Sequence, residues 1–215
     1  MPGISAITIT ALFGTEGGPV TIPGGILTLA RACVSREFRA FAANQSSPVT
    51  RWLRARAAHA LPLCGGKGVG AIGMCFTGNF ALSMMLEPAM LAPVLSQPSL
   101  PMFQSGGMHI APDELAAVKA RMEREDLTVL AYRFEGDRFC KAERFAAYEA
   151  ALGDRFQGRV LPDSCALPGT PVRPHSVVTL HLVDRQGEPT RAAVDEILAF
   201  FAKRLKSPAS EESTA

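Results

Sequence analysis

The chain of 215 residues is 47% hydrophobic and 20% charged, the composition of a globular chain able to bury one substantial core, so a single domain over residues 1–205 with a polar, disordered tail at 206–215 is expected. A net charge of +2 without any basic run argues against nucleic acid and anionic membranes as partners. Met1–Ser5 has no basic start, no segment reaches the roughly 18 apolar residues of a membrane span, and the odd set Cys33, Cys64, Cys75, Cys140 and Cys165 has no C-x-x-C spacing, so the expectation is a cytoplasmic chain with reduced thiols, no disulfide framework and no metal.

In chain order, the β-branched run Ala6 to Phe13 reads as a strand and the Gly- and Pro-rich stretch Gly14 to Gly25 as a loop. Ser35 is placed to cap a short helix through Ala43, and Ser46-Ser47-Pro48 breaks the chain. Val49 to Leu61 sets Trp52, Leu53, Ala57 and Ala60 near helical spacing, with Arg51, Arg54 and Arg56 largely opposite as a solvated face. Gly68 to Met74 is a short apolar run between glycines, the pattern of a strand buried on both faces of a parallel sheet. A helix over Phe76 to Leu86 follows, then a weak strand at Pro93 to Ser96, a helix over Pro112 to Arg124, a strong strand at Leu127 to Phe134, a helix over Lys141 to Leu152, a short strand at Gly158 to Pro162 and a closing amphipathic helix over Thr190 to Leu205. The alternation predicts an α/β chain with a parallel sheet, helices on both faces, and a ligand site at the carboxyl ends of the strands.

Chemistry concentrates at Gly73-Met74-Cys75-Phe76-Thr77-Gly78. A nucleophile on a sharp strand-to-helix turn needs small neighbours, and Gly73 and Gly78 supply them. A helix beginning after Cys75 would aim its first amides at the sulfur and lower the thiol pKa. The Phe76 amide would also donate to an oxyanion. A thiolate nucleophile needs a histidine to move protons and an acid to orient that histidine, in the chain order nucleophile, acid, histidine. Asp137, just past the strong strand, is the candidate acid, with Glu135 as the alternative. His175, delivered by the stiff loop Pro168 to Pro174, is the candidate histidine, with His181 as the alternative. His59 and His109 have less favourable surroundings.

With the cysteine turn, Gly136-Asp137 and His175-Ser176-Val177 in hand, the chain resembles the dienelactone hydrolase family. Leu12-Phe13-Gly14, the amphipathic helix before the turn and the terminal helix Ala192 to Leu205 extend the likeness. The resemblance implies an α/β-hydrolase-like three-layer sandwich with a mostly parallel central sheet. It implies a hydrolase of small esters or lactones in which Cys75 attacks the carbonyl, His175 shuttles the proton and Asp137 holds the imidazole, with no metal or organic cofactor. A small-molecule ester or lactone is the implied partner, met by a monomer or homodimer.

Against the family, the chain reads as shortened at its start, lacking the N-terminal strands. Met1 falls where a second oxyanion amide is expected, and Ala6 to Phe13 would then pair directly with Gly68 to Met74. Arg36 is the candidate for binding a substrate carboxylate, its ordinary alternative being a surface pairing with Glu37 or water. The competing readings are a non-catalytic or degenerate member of the fold and a thiol-based redox sensor.

Overall fold

A computed structural model describes residues 30, 31 and 33–206. The expected strand Ala6 to Phe13, its pairing with Gly68 to Met74, the loop Gly14 to Gly25, Met1 and the tail beyond Lys206 lie outside the described residues. Among the described residues four strands, β1 (Val69–Met74), β2 (Met90–Ser96), β3 (Val129–Phe134) and β4 (Phe156–Leu161), form an all-parallel sheet in the order β1-β2-β3-β4. Met74 lies opposite Ser96, Ser96 opposite Tyr132 and Phe134 opposite Leu161, so the carboxyl ends of all four strands line one edge.

Among the described residues the sheet is flanked by α1 (Val49–Cys64), α2 (Phe80–Met84), α3 (Pro112–Glu125), α4 (Ala142–Leu152) and α5 (Pro189–Leu205). When parallel strands follow one another in space as in sequence, right-handed crossovers carry every connecting helix to the same face. Leu82 of α2, Val118 and Met122 of α3, and Phe145 and Tyr148 of α4 accordingly pack with Leu95, Val129 and Ala131 in one core. The other face presents Val94, Leu130, Tyr132 and Phe134 to Ala193 and Ile197 of α5. Neighbouring residues of β2 and β3 thus point into two different cores, which is why β3 is buried along its whole length and reads as a continuous apolar run. Local signals agree with the longer helices: α3 opens on Pro112 with Asp113 and Glu114 in its first turn, places Arg124 in its last turn and ends on Asp126 in the left-handed region.

Four expectations are corrected. Residues 35–43 form successive turns rather than a helix. Ser35 Oγ accepts the Glu37 amide at 3.2 Å, but Arg39 takes a φ of 44°, and Phe38 and Ala40 are both drawn into a small core with Phe80, Leu100 and Met102. The helix expected over Phe76 to Leu86 is a 3-10 turn at Cys75–Thr77 followed by the five residues of α2. β1 is not buried on both faces: Ile72 and Met74 are exposed at 39% and 37%, and among the described residues β1 pairs only with β2. In α1, Trp52 is half exposed, while Arg54 leaves the solvated face to meet Glu114 at 3.2 Å. No helix among the described residues is long and apolar enough to cross a membrane.

Candidate active site

Cys75 sits at the carboxyl end of β1 with a φ of 51°, a left-handed conformation that a side-chain-bearing residue adopts only under constraint. The constraint is visible on both sides. Thr77 Oγ1 donates to the Met74 carbonyl at 3.0 Å and accepts the Met74 amide at 3.3 Å, and the Cys75 carbonyl accepts the amides of Gly78 and Ser99, both at 2.9 Å. The glycines leave no room for alternatives. A Cβ on Gly73 would stand 2.4 Å from the Thr77 carbonyl oxygen, and one on Gly78 would stand 2.4 Å from the Pro98 Cα. The turn is therefore closed so tightly that only hydrogen fits at either end, and the thiol is held out from the strand end.

Two further strand ends supply its neighbours. Past β3, the Asp137 carboxylate is fully buried and accepts three hydrogen bonds: the amides of Phe139 at 2.8 Å and Cys140 at 3.0 Å on Oδ1, and His175 Nδ1 at 2.7 Å on Oδ2. The two amides fix the carboxylate plane, so the imidazole receives a defined orientation and carries its first proton on Nδ1. Phe139, half exposed, sets its ring edge-on to the imidazole at 5.3 Å between centroids. Past β2, the buried hydroxyl of Ser99 donates to the Gln97 carbonyl at 3.0 Å and also reaches the Cys75 thiol.

The electrostatics of the pair follow from these contacts. Burial pushes the Cys75 thiol up, but hydrogen bonding to His175, the imidazolium charge, the Ser99 hydroxyl and the Phe76 amide outweigh it and hold the thiol below its ordinary value. Burial lowers His175, yet the Asp137 carboxylate and the Cys75 sulfur together raise it to about 9. Both shifts favour the thiolate–imidazolium pair over the neutral thiol and imidazole. The Nε2 atom of His175 has no partner at full hydrogen-bond geometry, the loose fit that catalytic pairs often show before a substrate arrives. The thiol is pulled down chiefly by the histidine and not by a helix dipole, since the turn after Cys75 offers one amide, that of Phe76, and no helix of useful length. Cys140, only three residues past Asp137, behaves oppositely: burial and the nearby carboxylate push its thiol up.

The structure thus brings together Cys75, Asp137, His175 and the Phe76 amide. Glu135, the alternative acid, is exposed, and His181, the alternative histidine, has both ring nitrogens engaged by backbone groups. Arg36 is exposed and makes no hydrogen bond or ion pair among the described residues. Its turn is nevertheless held near the site, because Phe38 lies 5.4 Å from the Phe76 ring. Sequence reasoning missed Ser99 and Phe139. Ser99 had a usable signal, since the residues just past a central parallel strand border the crevice; Phe139 had none beyond adjacency to Asp137. Compared with known proteins, the chain matches no family model, no curated protein and no solved structure.

Proposed function

We propose that the chain is a hydrolase of small esters or lactones, built on an α/β-hydrolase-like fold and using Cys75, His175 and Asp137 as the dienelactone hydrolase family does. The observation that carries this reading is the 2.7 Å bond from His175 Nδ1 to a carboxylate that has no solvent exposure, on an imidazole whose other nitrogen is left for the Cys75 sulfur. A buried acid on Nδ1 orients the ring for proton transfer at Nε2, which a merely structural cysteine would not need.

In the proposed reaction the Cys75 thiolate attacks the carbonyl carbon and the electron pair moves to the carbonyl oxygen, which the Phe76 amide receives. The tetrahedral adduct collapses to a thioester as the alkoxide leaves with the Nε2 proton of His175. The now neutral imidazole takes a proton from water, whose oxygen attacks the thioester, and collapse releases the acid and restores the thiolate and imidazolium. Asp137 stays ionised throughout and keeps the ring in register. Met1, the second oxyanion donor expected from the resemblance, lies outside the described residues. Arg36 is the proposed contact for an anionic end of the substrate, reaching in from the turn that packs on Phe76.

Hydrolysis of an activated aryl ester tests the reading. Turnover must vanish in Cys75→Ala while that variant melts like the parent chain. If the parent chain takes up one equivalent of a thiol reagent at Cys75 but turns over no ester or lactone, the hydrolase reading is wrong.

A further inference from the structure

We propose that His181 is the positioning residue of the Cys75–His175 pair: its ring grips the backbone on either side of His175 and ties that loop to the end of the strand that leads into Asp137. The proposal rests on Cys75 and His175 working as a pair, but not on the substrate being an ester.

The loop from Leu167 to Leu182 belongs to no strand or helix, so its amides lack the ladder partners that would fix them. Two of them, His175 N at 3.4 Å and Ser176 N at 3.1 Å, converge on His181 Nδ1. Both are donors, so Nδ1 must be the unprotonated nitrogen. The ring proton therefore sits on Nε2, which donates to the Val172 carbonyl at 3.2 Å. One imidazole in one tautomer thus spans the loop from Val172 to Ser176, with His175 between its two anchors.

The ring is itself held. The His181 amide donates to the Ser176 carbonyl at 3.1 Å, and the His181 carbonyl accepts the Leu167 amide at 2.9 Å. The side chain is fully buried and stands edge-on to Phe134, with 5.9 Å between centroids. Phe134 ends β3, three residues before Asp137. The same ring therefore touches the loop that carries the histidine and the strand end that carries the acid. Neighbouring Val177 adds a second tether, its amide reaching Gln97 Oε1 at 3.4 Å. The His175–Asp137 bond depends on the relative placement of these two segments, and reactive geometry of this kind is lost over displacements of about 1 Å. An apolar side chain at 181 would fill the space but leave two backbone donors without their acceptor.

The test reads the thiolate rather than turnover. Alkylation of Cys75, followed by mass spectrometry of its peptide across pH, reports how strongly His175 still holds the sulfur. In His181→Leu the midpoint should rise by about one unit, with alkylation at pH values below the parent's midpoint slowed about tenfold. His181→Asn keeps an acceptor near the Nδ1 position and should stay within about twofold of the parent, whereas His181→Gln, which favours the Nε2 donor, should follow Leu. If Leu does not fold, the contrast between Asn and Gln decides. A parent-like profile in every folded variant, or equal shifts in Asn and Gln, overturns the proposal. So does the nitrogen NMR spectrum of the unmodified chain if His181 carries its proton on Nδ1. Because no outcome needs ester turnover, a chain with an intact His181-dependent thiolate and no hydrolysis would refute the hydrolase reading alone.

Discussion

His175 bonds through Nδ1 to the Asp137 carboxylate and faces the Cys75 thiol, whereas His109 bonds through Nδ1 to the Ala42 carbonyl at 2.9 Å and through Nε2 to the Ser47 hydroxyl at 2.7 Å. Both are histidines set beside a potential nucleophile, but His109 is fully buried while His175 and Cys75 keep partial exposure. Their charge states diverge because of the third partner. The carboxylate and the sulfur hold His175 up at about 9, while burial, only partly offset by the Ala42 and Phe38 carbonyls and reinforced by the charges of Arg144 and Arg39, lowers His109 to about 4. A neutral His109 donates from Nδ1 to Ala42, so its Nε2 accepts from Ser47, whose single proton is also in reach of the Phe38 carbonyl. The Ser47 hydroxyl is fully buried, so no substrate can reach it. What separates the Cys75–His175 pair from the structural pin at His109 is thus a buried carboxylate on the far nitrogen and a partly exposed sulfur, not the presence of a histidine beside an oxygen or sulfur.

Removing each ring should divide the two roles most sharply. His175→Ala is expected to lower kcat/KM for an activated aryl ester by about 10³–10⁴-fold with little change in melting, and Asp137→Asn by at least about 10²-fold, since the amide no longer favours the proton on Nδ1. His109→Ala should do the reverse. It should leave kcat/KM within a few fold and cost about 2–4 kcal/mol of stability, because it opens a cavity and strips Ser47 and the 38–42 turn of their buried partner. Steady-state kinetics and urea unfolding on the three variants check both halves, and a His109→Ala chain that unfolds no more easily would remove the structural half of the contrast.

The two rings should also tilt the pH dependence of stability in opposite directions. For His109 the folded value of about 4 lies below the unfolded 6.5, so its contribution is complete above 6.5 and is lost as the pH falls through about 4, a loss of about 3 kcal/mol. For His175 the folded value of about 9 lies above the unfolded 6.5; its contribution is complete below 6.5 and is lost as the pH rises through about 9. Cys75, lowered in the fold, works against that alkaline loss, its contribution being present above the unfolded thiol value of 9.0 and lost as the pH falls through the lowered one. The acid side is therefore the clear readout. Urea unfolding between pH 6.5 and 4 should show the slope in the parent chain, and His109→Gln, which cannot titrate, should flatten it.

The same contrast shows what a linear reading of the sequence can reach. β3, α3, α4 and α5 were legible because their apolar periodicity and end residues are local, and Cys75, Asp137 and His175 were legible as residues because each stands just past a recognisable strand or on a Pro-rich loop. Segment 35–43 was not. Its turns are fixed by partners far along the chain: the Ala42 carbonyl is bound by His109, and Phe38 packs on Phe76 and Phe80. The shortness of α2 is likewise set by the closed turn at Cys75–Gly78 and by Asn79, whose side chain donates to the His109 carbonyl at 2.8 Å rather than continuing a helix from Phe76. His181 could be seen only as a second histidine, because the atoms it binds are backbone amides, which leave no trace in side-chain identity.

The smallest effect is expected at Ser99, and it refines what holds the sulfur. Its amide binds the Cys75 carbonyl at 2.9 Å, so the backbone contact that keeps the turn closed survives any side-chain change. Its hydroxyl has two acceptors for one proton, the Gln97 carbonyl at 3.0 Å and the Cys75 sulfur. While the sulfur is a neutral thiol, the carbonyl is the better acceptor; once the sulfur is a thiolate, a charge-assisted bond draws the proton over. Ser99 therefore stabilises the ionised form selectively, as a minor partner of His175. Ser99→Ala should raise the midpoint of Cys75 alkylation by well under one unit, about 1 kcal/mol or less, and lower kcat/KM only a few fold while leaving the melting temperature in place. A shift as large as that of His175→Ala would mean that the hydroxyl, and not the imidazolium, is the principal partner of the thiolate, and the contrast between the two histidines would then rest on a third residue.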